Sequence, residues 1–560
     1  MRRELAVLAE KNYDVVVLGG GIFGICVAWD AVLRGLSVAL VERGDFCGAT
    51  SANSFKIIHG GIRYLQHGDL YRIRESCRER SALLRIAPHL AHPLPIVIPT
   101  YGRGLESKSL LRAAFSAYDL LTFDRNKGIA DSARRIPRGR MISREECLAS
   151  FPGLASDHLT GAGIFHDGQL YNPPRLALAF LKSALDQGCD AANYVEASSF
   201  LVRNGQVTGI VARDRLREET FEICGRFVVN AAGPWADHLT REKLGIGLKP
   251  APTFSRDACL VVRRQLIGGH ALAVQGRTGD PDALVSRGKR HLFIVPWRSH
   301  SMIGVWHVVH RGEPDQLTVT EAEIEAFIDE INDAYPPLQL RRDDISMWNA
   351  GLVLFGENEK GAMNLSYGKR SCIIDHARSH GLRGLITLIG VRWTTARGVA
   401  EKVVNLIFRR LGKRSPKCQT ESTPLYGGRI ESFGSLSKLA AADRPPAIST
   451  EVMDALIHNH GSEYSRILAY VDVEPRLGGT LGNSLVLKAE IANAVRNEMA
   501  QTLCDVVFRR TDLATAGHPG DRALRECAAI VARELGWSES RKASELDEVM
   551  AAFPERSVGG

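Results

Sequence analysis

Residues 13–42 read YDVVVLGGGIFGICVAWDAVLRGLSVALVE, and this stretch decides the fold class. Residues 13–18 form a short β-branched apolar run, typical of a buried parallel strand. Residues 25–34 are predicted to be helical, with Gly35 ending the helix. Residues 37–42 form a second apolar run. The sequence therefore begins with a β-α-β unit, which indicates an α/β fold built on a parallel sheet.

The turn between the first strand and the helix carries the pattern Gly19-x-Gly21-x-x-Gly24. The first glycine permits a tight turn, the second lets backbone approach a diphosphate, and the third lets helix and strand pack closely. Glu42 closes the second strand, where a carboxylate can accept a hydrogen bond from a ribose hydroxyl. The pattern predicts a dinucleotide site, and by itself it leaves NAD and FAD as alternatives.

The sequence after Glu42 favours a flavin. Residues 48–64 read GATSANSFKIIHGGIRY, where small hydroxyl residues and a Gly-Gly step let the backbone lie beside a flat, extended cofactor. Three later stretches, 229–235 (VNAAGPW), 293–297 (FIVPW) and 390–397 (GVRWTTAR), complete the pattern. Together with 508–511 (FRRT), they make the chain resemble the flavin-dependent glycerol-3-phosphate dehydrogenases of the D-amino-acid-oxidase-like superfamily.

The amino-acid composition excludes several other classes of protein and partner. The chain has 560 residues, 45% hydrophobic and 24% charged, which excludes a disordered, collagenous or coiled-coil protein. The formal charge is 71 − 63 = +8, which fits an anionic substrate or lipid surface better than nucleic acid, so no nucleic-acid partner is expected. Eleven scattered cysteines indicate reduced thiols in the cytoplasm and show no metal-ligand spacing. No apolar run is long enough to span a membrane, which restricts any membrane contact to the periphery.

The resemblance implies three structural units. A discontinuous Rossmann-like FAD-binding domain is expected over 1–90, 160–240 and 370–415. It is interleaved with an antiparallel-sheet substrate domain over 91–159 and 241–369. A change of texture near residue 420, with apolar residues at helical spacing afterwards, predicts a helical C-terminal domain over 420–550.

The resemblance also implies which residues hold FAD. Thr394 and Thr395 begin a helix whose N-terminal dipole would point at the flavin ring, although simple helix capping is the competing interpretation. The full expected set is Gly19, Gly21, Gly24, Glu42, Arg43, Thr50, Ser51, Ser54, Lys56, His59, Gly60, Gly61, Ala232, Gly233, Thr394 and Thr395.

The expected substrate pocket departs from the family pattern at four positions. Val353 stands where the family has a phosphate-binding arginine, and Arg392 replaces a lysine. His307 replaces an aspartate, and Cys259 replaces a histidine. Arg63 matches the family, as does the adjacent Tyr64. These departures leave the substrate open.

Three residues are the candidates for catalysis. Oxidising an alcohol needs a base for the hydroxyl proton and a cation beside the developing alkoxide. His307 is the candidate base, with His59 second, and a satisfied structural histidine is the alternative for either. Arg63 and Arg392 are the candidate anion and alkoxide clamps; for Arg63 the alternative is an exposed helix charge.

The resulting hypothesis is an FAD-dependent dehydrogenase of glycerol 3-phosphate or a related polyol phosphate. The resemblance implies hydride transfer to flavin, a quinone as electron acceptor and peripheral contact with the inner face of the cytoplasmic membrane; a homodimer is compatible with it. The alternatives are a flavin oxidase or dehydrogenase of another hydroxy or amino acid, and a flavoprotein without catalytic activity.

Overall fold

A computed structural model describes residues 1–102, 107–276, 291–355 and 370–553. The strands are β1 (Asn12–Leu18), β2 (Val38–Val41), β3 (Ile57–Ile58), β4 (Ala91–Tyr101), β5 (Arg140–Ile142), β6 (Leu159–Leu170), β7 (Asp190–Ala192), β8 (Val195–Arg203), β9 (Gln206–Asp214), β10 (Thr220–Asn230), β11 (Thr253–Val262), β12 (Ala271–Gln275), β13 (His291–Trp297), β14 (His300–His310), β15 (Ile345–Phe355), β16 (Cys372–Asp375) and β17 (Leu385–Ile389).

The α-helices are α1 (Leu5–Glu10), α2 (Ile22–Leu33), α3 (Leu70–Ile86), α4 (Lys108–Leu121), α5 (Arg144–Ser150), α6 (Pro173–Asp186), α7 (Ala236–Leu244), α8 (Glu321–Ala334), α9 (His376–Ser379), α10 (Ala396–Arg410), α11 (Phe433–Ala442), α12 (Thr450–His460), α13 (Tyr464–Val473), α14 (Lys488–Glu498), α15 (Leu503–Asp505), α16 (Asp521–Leu535) and α17 (Glu539–Ala551). A π-helical turn spans Val506–Arg510, and short 3₁₀ turns that border the site span Ile62–His67, Gly233–Trp235 and Trp393–Thr395.

The first sheet has a parallel centre in the order β17-β10-β1-β2-β7. Strand β16 adds antiparallel to β17, while β9 and β8 extend from the first half of β10. The Val15–Val17 run of β1 is completely buried, which explains its unbroken apolar sequence. Because Leu18 pairs with Asn230, the carboxyl ends of β1 and β10 lie side by side.

Helices α2, α6 and α10 pack together on one face of this sheet. Trp29 of α2 meets Phe180 of α6 edge-on, with ring centroids 5.2 Å apart. The predicted helix between β1 and β2 is confirmed, and it begins three residues earlier than the sequence indicated, at Ile22.

The second sheet is mostly antiparallel, in the order β15-β11-β14-β13-β12-β4-β6-β3, with β5 beside β6. Helix α8 covers it and begins with a capping box formed by Thr320 and Glu323. Strands β3 and β6 fall within segments expected in the flavin unit, 1–90 and 160–240. They pair in the second sheet instead, because β6 runs alongside β4 over its whole length. The limits of the domains stay a prediction.

The region beyond residue 420 is helical and contains two apolar clusters of its own. It packs on the first sheet's helices through buried ion pairs, including Arg175 with Glu498 at 2.6 Å. None of the eleven cysteines, which all lie in the described ranges, forms a disulfide. Within those ranges, no helix combines the length and apolarity needed to cross a bilayer.

Candidate active site

A cavity of about 910 Å³ opens at the carboxyl ends of β1, β2 and β10 and continues between the two sheets. Switch points of this kind are where open α/β sheets bind ligands. Most residues predicted to bind cofactor or substrate line this one cavity. The exceptions among them are Gly24, Gly60 and Thr395.

The glycine turn forms a cradle that side chains would fill. A Cβ on Gly19 would lie 2.6 Å from the carbonyl oxygen of Ala231, and one on Gly24 would lie 2.0 Å from that of Gly19. Gly24 therefore acts by close packing rather than by facing the cavity. Helix α2 begins at Ile22 beside the cavity, and its N-cap residue Gly21 has no side chain to cap it, so the N-terminal dipole faces the ligand space. This geometry fits a diphosphate.

Glu42 is held at the cavity wall by two backbone donors. Gly20 N donates to its Oε2 at 2.6 Å, and Gly44 N donates to its Oε1 at 2.9 Å. Burial raises the pKa of this carboxyl above its ordinary value. Each oxygen retains a second acceptor position, so the side chain is suited to accept from a ribose hydroxyl. Next to it, Cζ of the Arg43 guanidinium lies 4.5 Å from the centroid of the Trp235 ring.

The loop after β2 crosses from one sheet to the other. Thr50 Oγ1 accepts from Leu352 N at 3.0 Å and donates to Leu352 O at 3.2 Å, which ties the loop to β15. Ser51 Oγ accepts from Ile22 N at 3.1 Å. Ser54 also borders the cavity. These contacts let the loop form a continuous wall along the cavity.

Lys56 is buried in the same loop, with Nζ 4.5 Å over the Trp297 ring. Burial lowers the pKa of its ammonium to about 8. A negative charge placed near this ammonium would raise its pKa again. Lys56 is therefore placed to respond electrostatically to a ligand in the cavity.

His59 and the Gly-Gly step end the loop at a buried carboxylate. His59 Nδ1 lies 3.3 Å from Asp167 Oδ2, while Gly60 N donates to Asp167 Oδ1 at 2.7 Å. Burial favours the protonated acid, but the hydrogen bond from His59 and the charge of Arg80 hold the pKa of Asp167 below its ordinary value. Gly60 thus shapes the site through Asp167, whereas Gly61 lines the cavity directly.

A second helix also begins at the cavity. Thr394 lines it, while Thr395 is turned back, its Oγ1 donating to Arg392 O at 3.1 Å. Helix α10 follows at Ala396 without a side-chain cap on its N-terminus. Trp393 Nε1 donates to Ser51 O at 3.2 Å and joins this turn to the loop after β2. Ala232 and Gly233, which follow β10, also border the cavity.

The end of the cavity near Arg392 is cationic and aromatic. Arg392 Nη1 donates to Tyr64 Oη and Ser76 Oγ, both at 3.0 Å, and Nη2 lies 3.1 Å from Glu75 Oε2. These partners hold the guanidinium in one orientation at the wall. Arg63 lines the same cavity. The arrangement suits a small anion, because two guanidinium groups border one space.

His307 lies opposite Asp257 on adjacent antiparallel strands, and both line the cavity. His307 Nδ1 is 3.0 Å from Asp257 Oδ1, which also accepts from Ser255 Oγ at 2.6 Å. A carboxylate at Nδ1 favours the tautomer with the proton on Nδ1 and the lone pair on Nε2, which is the form a proton acceptor requires. Cys259 and Val353 border the same space.

Asp257 and Arg509 are among the residues at this site that sequence reasoning missed. Asp257 meets His307 only because the register of β11 and β14 places the two residues opposite each other, and no local sequence motif singles out Asp257. Arg509 lies in the C-terminal helical region, yet it lines the cavity. It belongs to the Phe508–Thr511 stretch that the sequence singled out, but nothing local assigned it to the site.

Comparison with known proteins settles the family. The sequence model of FAD dependent oxidoreductases matches residues 14–406, and that of the C-terminal domain of alpha-glycerophosphate oxidase matches residues 418–542. The chain belongs to the FAD-dependent oxidoreductase family. It is therefore an enzyme that uses FAD, and the glycine cradle, the Glu42 carboxylate and the two uncapped helix starts fit that cofactor.

Relatives of this FAD-dependent oxidoreductase extend along its whole length. A glycerol-3-phosphate dehydrogenase from Synechocystis is 31% identical over 554 residues, covering 96% of each chain. The mitochondrial glycerol-3-phosphate dehydrogenase of Bos taurus is 30% identical, covering 97% of this chain and 74% of the relative. The expected resemblance to the glycerol-3-phosphate dehydrogenase family is confirmed.

Solved structures support the fold. A glycerol-3-phosphate dehydrogenase from Bacillus halodurans in complex with FAD superposes with a TM-score of 0.75 at 24% identity, covering 98% of this chain and 95% of that one. The expected α/β fold with an FAD-binding body and a helical C-terminal domain is confirmed by this match.

Proposed function

We propose that this FAD-dependent enzyme oxidises glycerol 3-phosphate or a related polyol phosphate. The observation that carries the proposal is that one cavity combines two kinds of lining. The glycine cradle and Glu42 border it, and so do Arg63, Arg392 and the His307–Asp257 pair. The names of the relatives point to the same substrate.

Each of these residues has its own role in the proposed oxidation. Arg63 and Arg392 bind the anionic group and the developing alkoxide. His307 accepts the hydroxyl proton at Nε2, while Asp257 stabilises the imidazolium that results. Bound FAD supplies the acceptor for the hydride that leaves the carbinol carbon.

A second candidate is oxidation of another hydroxy acid or an amino acid. Val353 favours it, because an aliphatic side chain borders the cavity where the related enzymes' pattern has an arginine. An aliphatic wall binds a hydrocarbon substituent better than a phosphate. A flavoprotein without catalytic activity is the remaining alternative.

Anaerobic flavin bleaching distinguishes these functions. The FAD-loaded enzyme is mixed with glycerol 3-phosphate, other polyol phosphates, hydroxy acids and amino acids, and absorbance of the oxidised flavin is followed. We expect bleaching by glycerol 3-phosphate. Bleaching by a hydroxy or amino acid alone would establish the second candidate, and no bleaching with any compound would indicate an inactive flavoprotein.

We further propose that electrons pass to a quinone and that the enzyme binds the membrane peripherally through α4 and the residues after it. Leu110, Ala113, Ala117 and Leu120 recur at helical spacing on one face of α4, opposite the buried Leu111, Phe115 and Tyr118. Leu120 is 76% exposed and the nearby Phe123 is 80% exposed. Exposed Arg112 and Lys127 supply positive charge beside this apolar surface, as binding to acidic lipid requires.

Vesicle sedimentation tests the membrane contact. Wild-type enzyme should pellet with vesicles rich in phosphatidylglycerol, and the double variant Leu120→Asp, Phe123→Asp should stay in the supernatant. Replacing exposed Leu216, which lies on a different part of the chain, with Asp is the matched control. Equal pelleting of all three proteins would contradict the assignment. Quinone reduction is measured on the same vesicles. Light scattering tests the predicted homodimer.

A further inference from the structure

The C-terminal helical region reaches the cofactor cavity through one turn. Arg509, in the π-helical turn Val506–Arg510, lines the cavity. Among the lining residues that the structure describes, it is the only one C-terminal to Thr394. Short π-helical segments often occur at functional sites. This turn therefore places a cation from the C-terminal region at the wall of a site built otherwise by the FAD-binding body.

Arg509 and its neighbour Arg510 converge on one buried carboxylate, Asp45. Arg510 donates bidentately, with Nη1 and Nη2 each 2.6 Å from an oxygen of Asp45, and Arg509 Nε donates to Oδ2 at 2.5 Å. Asn193 Nδ2 adds a bond to Oδ1 at 2.9 Å. Burial favours the protonated acid, but the two arginine charges lower the pKa of Asp45 to about 2. Removing either arginine weakens the compensation of a buried charge.

The Glu42–Asp45 turn connects this cluster with the proposed ribose-binding carboxylate. Gly44, next to Asp45, donates its backbone N–H to Glu42 Oε1 and accepts at its carbonyl from Tyr194 N at 2.8 Å. Only two residues, Arg43 and Gly44, separate Glu42 from Asp45. A shift of Asp45 therefore moves the Gly44 amide that orients Glu42.

We propose that Arg509 and Arg510 clamp Asp45 and thereby hold the Glu42–Asp45 turn in the conformation that binds FAD. Docking of the C-terminal region and FAD binding are then thermodynamically coupled, and by reciprocity bound FAD must stabilise the docked turn. Arg509 and Arg510 act as positioning residues. The inference rests on the proposed contact between Glu42 and the cofactor.

The main test measures FAD affinity of the apoprotein by quenching of flavin fluorescence, without turnover. Arg509→Gln is expected to raise the Kd for FAD by about tenfold or more, and Arg509→Lys, which keeps the charge, is expected to restore part of the affinity. The matched control is Glu498→Gln. It breaks another buried ion pair of the C-terminal region, with Arg175, and neither residue lines the cavity. It should lower the apoprotein Tm with a Kd change under about threefold.

Four outcomes decide the proposal. A Kd for Arg509→Gln within about threefold of wild type would overturn it, and so would equal weakening by Glu498→Gln, since that would reflect general loosening. Loss of FAD by Glu42→Arg but not by Arg509→Gln would overturn the clamp and leave the cofactor placement intact. Normal flavin content in Glu42→Arg would instead refute the placement of FAD on which the clamp depends.

Hydrogen exchange gives a readout independent of affinity. Removing FAD from the wild-type enzyme should increase amide exchange at Val506–Arg510 and leave α12 unchanged. Equal exchange at the turn in the apo and loaded forms would contradict the coupling.

Discussion

Replacing His307 with glutamine tests the central chemical assignment. Glutamine keeps a polar side chain that can donate to Asp257, but it has no nitrogen basic enough to take the substrate proton. A positioned general base contributes about 10²–10⁴-fold to a rate, or about 3–5 kcal/mol of barrier. His307 is 14% exposed and held at 3.0 Å by Asp257, so the preorganised geometry supports the upper part of that range.

The assay is anaerobic stopped-flow reduction of the FAD-loaded enzyme at saturating glycerol 3-phosphate. We expect the reduction rate of His307→Gln to fall by about 10²–10⁴-fold while flavin content stays normal. Asp257→Asn should fall in the same direction, because an asparagine amide can favour the tautomer with the proton on Nε2.

The comparison with His59 makes the result decisive. His59 also borders the cavity and has its own carboxylate partner, Asp167. If His307 is the base, His59→Gln should lower the reduction rate of the flavin-loaded fraction less than about tenfold. A wild-type rate in His307→Gln, together with a loss of about 10² or more in His59→Gln, would refute the assignment and identify His59 as the base.

Three further predictions concern cofactor, substrate and stability. Glu42→Arg should purify without FAD because the ribose acceptor is lost. Normal absorbance near the flavin maxima would contradict this, and Glu222→Arg on β10 is the control. Arg392→Ala should raise KM for an anionic substrate more than about tenfold, since a charged hydrogen bond contributes roughly 1.5–3 kcal/mol, and an unchanged KM would remove it from the site. Burial lowers the pKa of His89 to about 3, so below pH 6.5 the folded state binds fewer protons than the unfolded state. The free energy of unfolding therefore decreases as the pH is lowered. The Tm should therefore drop between pH 6.5 and about 4 less in His89→Leu than in wild type, and an equal drop in both proteins would contradict this.

Local sequence predicted those parts of the fold that depend on neighbouring residues. The apolar runs of β1 and β2, the glycine turn and the helix between the two strands are all specified within thirty residues, since buried parallel strands and close helix packing each need a particular composition. The capping box of α8 is similarly local. Partners across the second sheet were not predictable this way, because strand register depends on long-range pairing.

The sequence by itself determined a dinucleotide-binding α/β body, a flavin rather than a nicotinamide cofactor through its family resemblance, and a helical C-terminal region. Tertiary structure alone decided that Asp257 orients His307, that Gly24 and Gly60 act from behind the cavity wall, and that Arg509 lines it from the far end of the chain. The physical reason is that motifs record contacts between residues close in sequence. The His307–Asp257 pair and the arginines on Asp45 join residues 50 to 465 positions apart, which only folding brings within hydrogen-bond distance.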